Sequence, residues 1–561
     1  MLIGTSGDDR APFKPVFESL PYEIHNGIIN KLLQQDSSNL MRVNRKMYLL
    51  VLPRLYQHII VDSDITHFSK EISYLHSRYD REFRSWYDIA CTYINNSYNF
   101  MKFLKSYIRL HCNNPAISNA PHIKILTVKK LPESINTYEH EFKYTIRKFF
   151  CMITNLQELT WLNRNFRFEF LNCLENPQNL MVLSLNIRFT DYLYELLNYD
   201  SNKISQLKFN LTKLTKFEIK PFINSKTLSK ILNDLIGGGD HDMLGPQLRS
   251  LSLSRTETYK GETNIIANEL VNNGGTMFPE FDLSVIPTIC SSNLRKMPNL
   301  TSLSLNDCII QPQDADELIK TANLRSLRTL KLSNMSEFQT LPITSASISE
   351  NLLPSFLNQL SSHLTNLKYL RLDFRQAFTD TVPIFLKDLA SLESLDLTIR
   401  HNNTFDTNYN DYSKGITSWN KTETLKHLSI EIKQETLMFD VDLQMKEASF
   451  YNHLVKCQNL ETLRIAPDES RLINLLKNGN LPKLNKLDII SANCLGLVNP
   501  EIYQALLEFE QKVLVYAQAS GDELQYICIN GKLFELQSLD KGPVVNPRED
   551  ISVWFTREVR V

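Results

Sequence analysis

Leu300-Thr301-Ser302-Leu303-Ser304-Leu305 and, one repeat further on, Leu327-Arg328-Thr329-Leu330-Lys331-Leu332 carry the pattern that decides the fold, L-x-x-L-x-L. The same pattern opens at Leu156, Leu180, Leu248, Leu367, Leu392, Leu425, Leu460 and Leu484, with weaker copies at Ile123 and Leu214. Ten clean copies exclude chance, because scattered leucines do not keep one internal spacing. The copies also recur regularly: from 156 to 180 is 24, from 300 to 327 is 27, from 367 to 392 is 25, and from 460 to 484 is 24. The gap from 248 to 300 is 52 and holds either an insertion or a missed repeat.

Alternation within L-x-L sends both leucines to one face of a short strand and the residue between them to the other. The first leucine folds over the same core. Each copy is therefore one strand and one return segment, unable to bury its apolar side alone. Stacking neighbours completes a continuous core behind a curved parallel sheet.

From about Ile123 to Ile489 the chain resembles the leucine-rich-repeat family, and Cys308 stands where that family places Asn or Cys. The irregular repeat lengths resemble the ribonuclease-inhibitor-like class of fungal intracellular proteins. The expected fold class is α/β. It comprises a flexible N-terminus (1–16), a helical head (17–60), a helical linker (61–120), the repeat solenoid (121–490) and a C-terminal cap with a helix and a hairpin (491–561). The hairpin is read around Asn530-Gly531, and the helix over Pro500 to Gln518.

The head is a different unit. Ile24, Ile28 and Leu32 fall at four-residue steps, one stripe of a helix, and Pro21 suits its first turn. Gln34 to Ser38 reads as a polar connector before a second short helix with Leu40, Met41 and Val43. A third apolar segment, Met47 to Leu52, is expected to stop at Pro53. Three short helices bury little, so a partner or the next domain must cover their apolar side.

Leu20-Pro21-x-Glu23-Ile24, Ile28, Leu32, Asp36, Leu40 and Val43-Asn44-Arg45, followed by Pro53-Arg54-Leu55-Tyr56, resemble the F-box. Met47 replaces the family's usual Trp. The resemblance implies docking on a Skp-family adaptor, which links to a cullin scaffold. It assigns that contact to Leu20, Pro21, Ile24, Ile28, Leu32, Leu40 and Val43. It also implies a non-catalytic substrate receptor of an SCF-type ubiquitin ligase that recruits a protein for ubiquitination and degradation. The alternatives are a fixed F-box subunit of an assembly outside ubiquitination and, further off, a leucine-rich-repeat activator of a small GTPase.

Composition is normal for a folded soluble protein and not for a disordered one. Apolar residues are 42% and charged residues 22%, and 61 basic against 62 acidic side chains leave a net charge of -1. That balance supplies no field for nucleic acid or an anionic membrane. Nine cysteines show no C-x-x-C pair and read as reduced thiols. With no signal-like or membrane-spanning run, the expected location is cytoplasmic or nuclear. Aromatic residues such as Phe100 and Phe103 in the linker read as helix packing rather than a base-stacking platform.

Catalytic, cofactor and metal sites are not expected. Gly237 to Asp242 lacks the Lys-Ser/Thr of a phosphate loop, and His401 to Gly415 reads as a solvated insertion with room for recognition. Binding chemistry belongs on the sheet's open face, at Ser304, Lys331, Arg371, Asp396, Ser429, Arg464 and Asp488, with Thr329, Tyr369 and His427 beside them. The substrate-contacting candidates are Lys331, Tyr369, Arg371 and Arg464, suited to an acidic or phosphorylated segment. Asp373 and Asp396 are near enough to pair with the same cations.

Overall fold

The computed structural model describes residues 20–32, 34–62, 92–94, 97–113, 120–131, 139–187, 211, 213–222, 228–229, 231–235, 245–255, 284–292, 294, 296–337, 354–375, 381–389, 392–401, 422–434, 448–490, 511–520, 524–529, 532–536 and 546–548. The N-terminus expected over 1–16 lies outside these residues. The chain divides into two units, Met1–Asp191 and Tyr192–Val561. Both are built on parallel strands with helical returns, an α/β arrangement of open, solenoid-like sheet compatible with a leucine-rich-repeat stack.

The first unit opens with three helices, α1 (Tyr22–Ile29), α2 (Gln34–Met41) and α3 (Arg45–Gln57). Ile29, Val51 and Leu55 form their core. Asn44 caps α3, its side chain accepting from the Met47 amide at 2.8 Å, which explains the turn at Val43-Asn44-Arg45. Two details differ from the sequence expectation. The polar run from Gln34 lies inside α2 rather than before it: Ser37 is buried and accepts a hydrogen bond from Arg54 at 3.0 Å. And α3 continues through Pro53 to Gln57, because Val51, Leu52 and Leu55 bury on one side of it and offset the lost N–H bond.

The helix then passes directly into strand β1 (His58–Asp62). This strand pairs in parallel with β2 (Thr92–Ile94) and β3 (Ile125–Lys130), and β3 continues through β4 (Glu158–Phe166) to β5 (Val182–Ile187). Ile59 aligns with Leu126 and Val61 with Val128. Tyr56-x-x-Ile59-x-Val61 is thus a repeat copy that straddles the expected head–linker boundary. Helices α4 (Ser97–Asn113) and α5 (Glu139–Phe150) back the sheet. Phe100, Phe103, Tyr107, Phe142, Phe149, Phe150, Trp161 and Phe170 pack ring to ring between them. Of the described linker aromatics, Phe100 and Tyr107 are therefore core and Phe103 packs against Tyr107, while Tyr98 is exposed.

Among the described residues, the parallel strands of the second unit are β6 (Lys216–Phe222), β7 (Ser250–Arg255), β8 (Ser302–Asn306), β9 (Ile309–Ile310), β10 (Thr329–Glu337), β11 (Tyr369–Arg375), β12 (Ser394–His401), β13 (His427–Gln434), β14 (Thr462–Ile465), β15 (Lys486–Ile489) and β16 (Tyr526–Ile529). Each repeat copy pairs with the next in one register: Leu251, Leu303, Leu330, Leu370, Leu395, Leu428, Leu463, Leu487 and Ile527 are successive partners. All are buried, each contributing about 1.5–3 kcal/mol. Because β7 pairs directly with β8, the long gap between the copies at 248 and 300 is an insertion and not a missed strand. Helices such as α6 (Asp314–Thr321), α7 (Phe356–Ser361) and α8 (Glu469–Lys477) fill the returns, α8 being capped by Asp468.

The last parallel strand, β16, follows Leu524-x-x-Ile527-x-Ile529, a further copy lying past the expected end of the repeats at 490. It turns back on β17 (Lys532–Glu535), which pairs with β18 (Asn546–Arg548), both antiparallel. The Ile529–Lys532 register brackets the turn expected at Asn530-Gly531, whose residues lie outside the described ones. Residues 511–520 are helical, overlapping the expected helix.

Two ladders stitch the repeats together at the strand-start edge. One backbone carbonyl per repeat accepts both the amide preceding the next strand and that strand's first amide: Arg328 receives Lys368 and Tyr369, Lys368 receives Glu393 and Ser394, and Glu393 receives Lys426 and His427. The asparagine before a repeat's first leucine donates its side chain to the preceding repeat, Asn299 to the Pro246 carbonyl (2.7 Å), Asn366 to Arg325 (2.8 Å) and Asn459 to Glu423 (2.6 Å). Both ladders satisfy backbone groups that a parallel stack otherwise leaves unpaired.

Candidate binding face and docking surface

The residues between the core positions of each strand form an unbroken row: Glu218, Ser252, Ser304, Lys331, Arg371, Asp396, Ser429, Arg464, Asp488 and Cys528 are successive register partners. Side chains of one row stand roughly 5 Å apart, so neighbours interact. Lys331 and Arg371 are direct partners, and Tyr369 stands in the adjoining row of the same strand as Arg371. Arg464 lies three strands away from Arg371, about 15 Å at that spacing. Of the four substrate-contacting candidates, the register brings three together and sets the fourth apart.

Each arginine in the row meets an acid on the next strand. Arg371 Nε is 3.4 Å from Asp396 Oδ2, and Arg464 Nε is 3.3 Å from Asp488 Oδ2, with Glu431 Oε2 3.8 Å from its Nη2. These are ion pairs without a well-aligned Nε–H bond: both Nε atoms are buried and lack a hydrogen-bond partner. Burial holds the Asp396 carboxyl above its ordinary range against the pull of Arg371. For Asp488 burial outweighs Arg464 and pushes the carboxyl up to about 6. The row is thus charge-balanced from Arg371 to Asp488. Tyr369 directs its hydroxyl at Glu393, 3.5 Å away, and Glu393 is held below its usual range mainly by Lys368, 2.5 Å away.

The charged residues missed in the sequence are at the strand-start edge. Arg328, Lys368, Glu393 and Lys426 occupy the position just after each repeat's first leucine (for Glu393, just after Leu392), where the carbonyl ladder runs. The leucine frame itself marks that position, and it is where Arg328 and Lys368 follow one another.

On the head, the residues assigned to adaptor contact divide between exposed positions and the packed interior, Leu40 lying against the Ile29, Val51 and Leu55 core. Ile24 is 49% exposed, Ile28 37% and Val43 67%. Pro21 is exposed too, while Leu20, Leu32 and Leu40 are half-buried. Helix α1 ends at Ile29, so Leu32 lies beyond the stripe of Ile24 and Ile28. Tyr22 and Leu49 add further exposed apolar surface, and Met47, where the F-box resemblance expects a Trp, is buried.

Among the described residues, no cluster of His, Cys, Asp and Glu could hold a metal, and no helix is long and apolar enough to cross a membrane. Gly237 to Asp242 and residues 402–415 lie outside the described residues. Burial pushes the Cys308 and Cys457 thiols up to about 12, which makes them poor nucleophiles.

No protein-family profile matches the chain. Over 124 residues it is 35% identical to the disease resistance protein RPS4B of Arabidopsis thaliana, a stretch covering 21% of this chain. The chain spans about a tenth of the length of that curated relative.

Proposed function

We propose that the chain is the substrate-recognition subunit of an SCF-type ubiquitin ligase. The head holds a Skp-family adaptor, the leucine-rich repeats hold a protein substrate, and the chain performs no chemistry of its own. The observation that carries this reading is the division of the head into two apolar faces. Ile29, Val51 and Leu55 already fill its interior, yet Ile24, Ile28 and Val43 stay exposed. A unit with its own packed core has no folding reason to keep a second apolar face, and exposed patches of this kind mark interaction sites. These are also positions to which the F-box resemblance assigns adaptor contact.

The repeats supply the complementary part. A row of register-locked side chains is a rigid surface whose specificity resides in the residues it presents, not in the fold. Co-purification of the full chain with a Skp-family adaptor and a cullin tests the reading. Adaptor and cullin should both be recovered with the wild type and lost with Ile24→Glu/Ile28→Glu. Adaptor recovery without cullin would assign the chain to an assembly outside ubiquitination, and recovery of neither would reject the proposal.

A further inference from the structure

A cleft of about 460 Å³ opens at the strand-start edge of the second unit, lined by Arg325, Arg328, Lys368, Glu393, Asn366 and Thr424 among others. Its charges are unequal. Glu393, the one acid lining it, is taken by Lys368 at 2.5 Å. Arg325 and Arg328 are both exposed, and among the described residues neither guanidinium has an ion-pair or hydrogen-bond partner. Three cations against one acid leave the cleft with a local excess of two positive charges.

The walls are pre-built. Thr301 Oγ1 donates to the Arg249 carbonyl (3.0 Å), Ser326 Oγ to that of Leu300 (2.8 Å), Asn366 Nδ2 to that of Arg325 (2.8 Å) and Thr424 Oγ1 to that of Leu392 (2.8 Å). These four polar side chains of the lining are spent on holding backbone, so the cleft offers a ligand chiefly the two guanidiniums.

We propose that this cleft, and not the central row, is the anion-reading site of the repeats, and that it takes a phosphorylated side chain of a bound protein segment. The charge decides the ligand. A phosphomonoester carries about -1.5 to -2 at neutral pH and matches the excess of two; a carboxylate leaves one cation uncompensated. Arginine forks suit phosphate oxygens geometrically as well. The central row is poorer for this purpose, because Arg371 and Arg464 already hold Asp396 and Asp488. A polyanion such as nucleic acid would need a long basic track, and the edge alternates in sign at Glu393 and Glu461.

The proposal deepens the capture role given to the repeats and does not depend on the head, so adaptor recovery is scored separately in the same experiment. The full chain is immobilised and offered degenerate nonapeptides centred on phosphoserine, on serine or on glutamate. Phosphoserine peptides should be retained at least about tenfold over serine, the factor one charge-assisted hydrogen bond is worth. Arg325→Gln/Arg328→Gln should abolish the preference at an unchanged melting temperature, whereas Lys331→Gln/Arg371→Gln should keep it. Equal retention of the serine or glutamate peptides, a preference that survives in Arg325→Gln/Arg328→Gln, or one lost only in Lys331→Gln/Arg371→Gln, overturns the proposal. Loss of adaptor with intact phosphopeptide preference would instead reject the ligase reading and leave the cleft standing.

Discussion

Gly245 lies at a close approach between two segments of the second unit, and replacing it with alanine should destabilise the repeats on either side of the insertion between β7 and β8. A Cβ there would sit 2.1 Å from the Lys296 carbonyl oxygen and 2.9 Å from its carbon. Ordinary contact begins near 3.4 Å, and the obstructing atoms are backbone, so two main-chain segments must part rather than one side chain turn aside. They are poorly placed to do so. The Met297 amide donates to the Thr321 carbonyl at 2.8 Å, Asn299 donates to Pro246 at 2.7 Å, and Leu294 and Met297 are fully buried. Overpacking of this kind costs about 1–3 kcal/mol. A Gly-to-Ala change also stiffens the unfolded chain, returning about 0.4–1 kcal/mol. The net loss should be about 1–2 kcal/mol. Gly27 is the control: it sits in α1 with nothing within 4 Å of the added methyl, and Gly27→Ala should stabilise by about 0.5–1 kcal/mol. Hydrogen exchange of amides 245–255 and 296–306, alongside urea denaturation, measures both. Wild-type protection in Gly245→Ala would refute the close packing of the two segments. A sign reversed at Gly27 would refute the helix geometry of α1.

Ile29→Ala should cost about 2–5 kcal/mol by opening a cavity in the head, whereas Ile24→Glu/Ile28→Glu should leave the melting temperature nearly unchanged and abolish adaptor binding; equal destabilisation by both would erase the distinction between the two faces. Asp488, with its folded carboxyl raised from 3.8 to about 6, binds its proton more tightly when folded than when unfolded. Its contribution to stability is therefore present below about pH 4 and declines as pH rises to 6, by at most about 3 kcal/mol. Thermal midpoints across that window should be flatter in Asp488→Asn, and parallel profiles would contradict the burial assigned to this carboxylate. Asn366→Ala and Asn459→Ala each remove one exposed side-chain-to-carbonyl bond and should cost about 0.5–1.5 kcal/mol by urea denaturation; no change would mean that water replaces the ladder.

The interior of the repeats was legible because leucine at fixed spacing is a direct consequence of a strand needing one apolar face. Every clean copy places its three anchors in the core. The first copy escaped notice because Tyr56, Ile59 and Val61 replace the leucines, and because it follows a helix without a break. The last escaped because Leu524 to Ile529 reads equally well as half a hairpin, which it also is. At the binding face the identity of the row could be read, since alternation fixes which residues point outward. Part of its electrostatics could be read as well, since Asp396 is expected within reach of the same cations and does hold Arg371. The pairing of Arg464 with Asp488 could not, because it requires knowing which strand lies beside which across a return of variable length. In the head, Pro53 pointed to a helix end that the packing of Leu52 and Leu55 overrode.

The single register maintained from Leu251 to Ile527 has a consequence for how such a protein can change. The return joining Leu463 to its partner Leu487 is less than half as long as the one joining Leu251 to Leu303, yet the strands pair alike. Return length is therefore decoupled from facial geometry. A return can lengthen while every side chain in the row keeps its register and its neighbours. The second unit is in effect a ruler of fixed graduations whose connecting returns are free to differ in length.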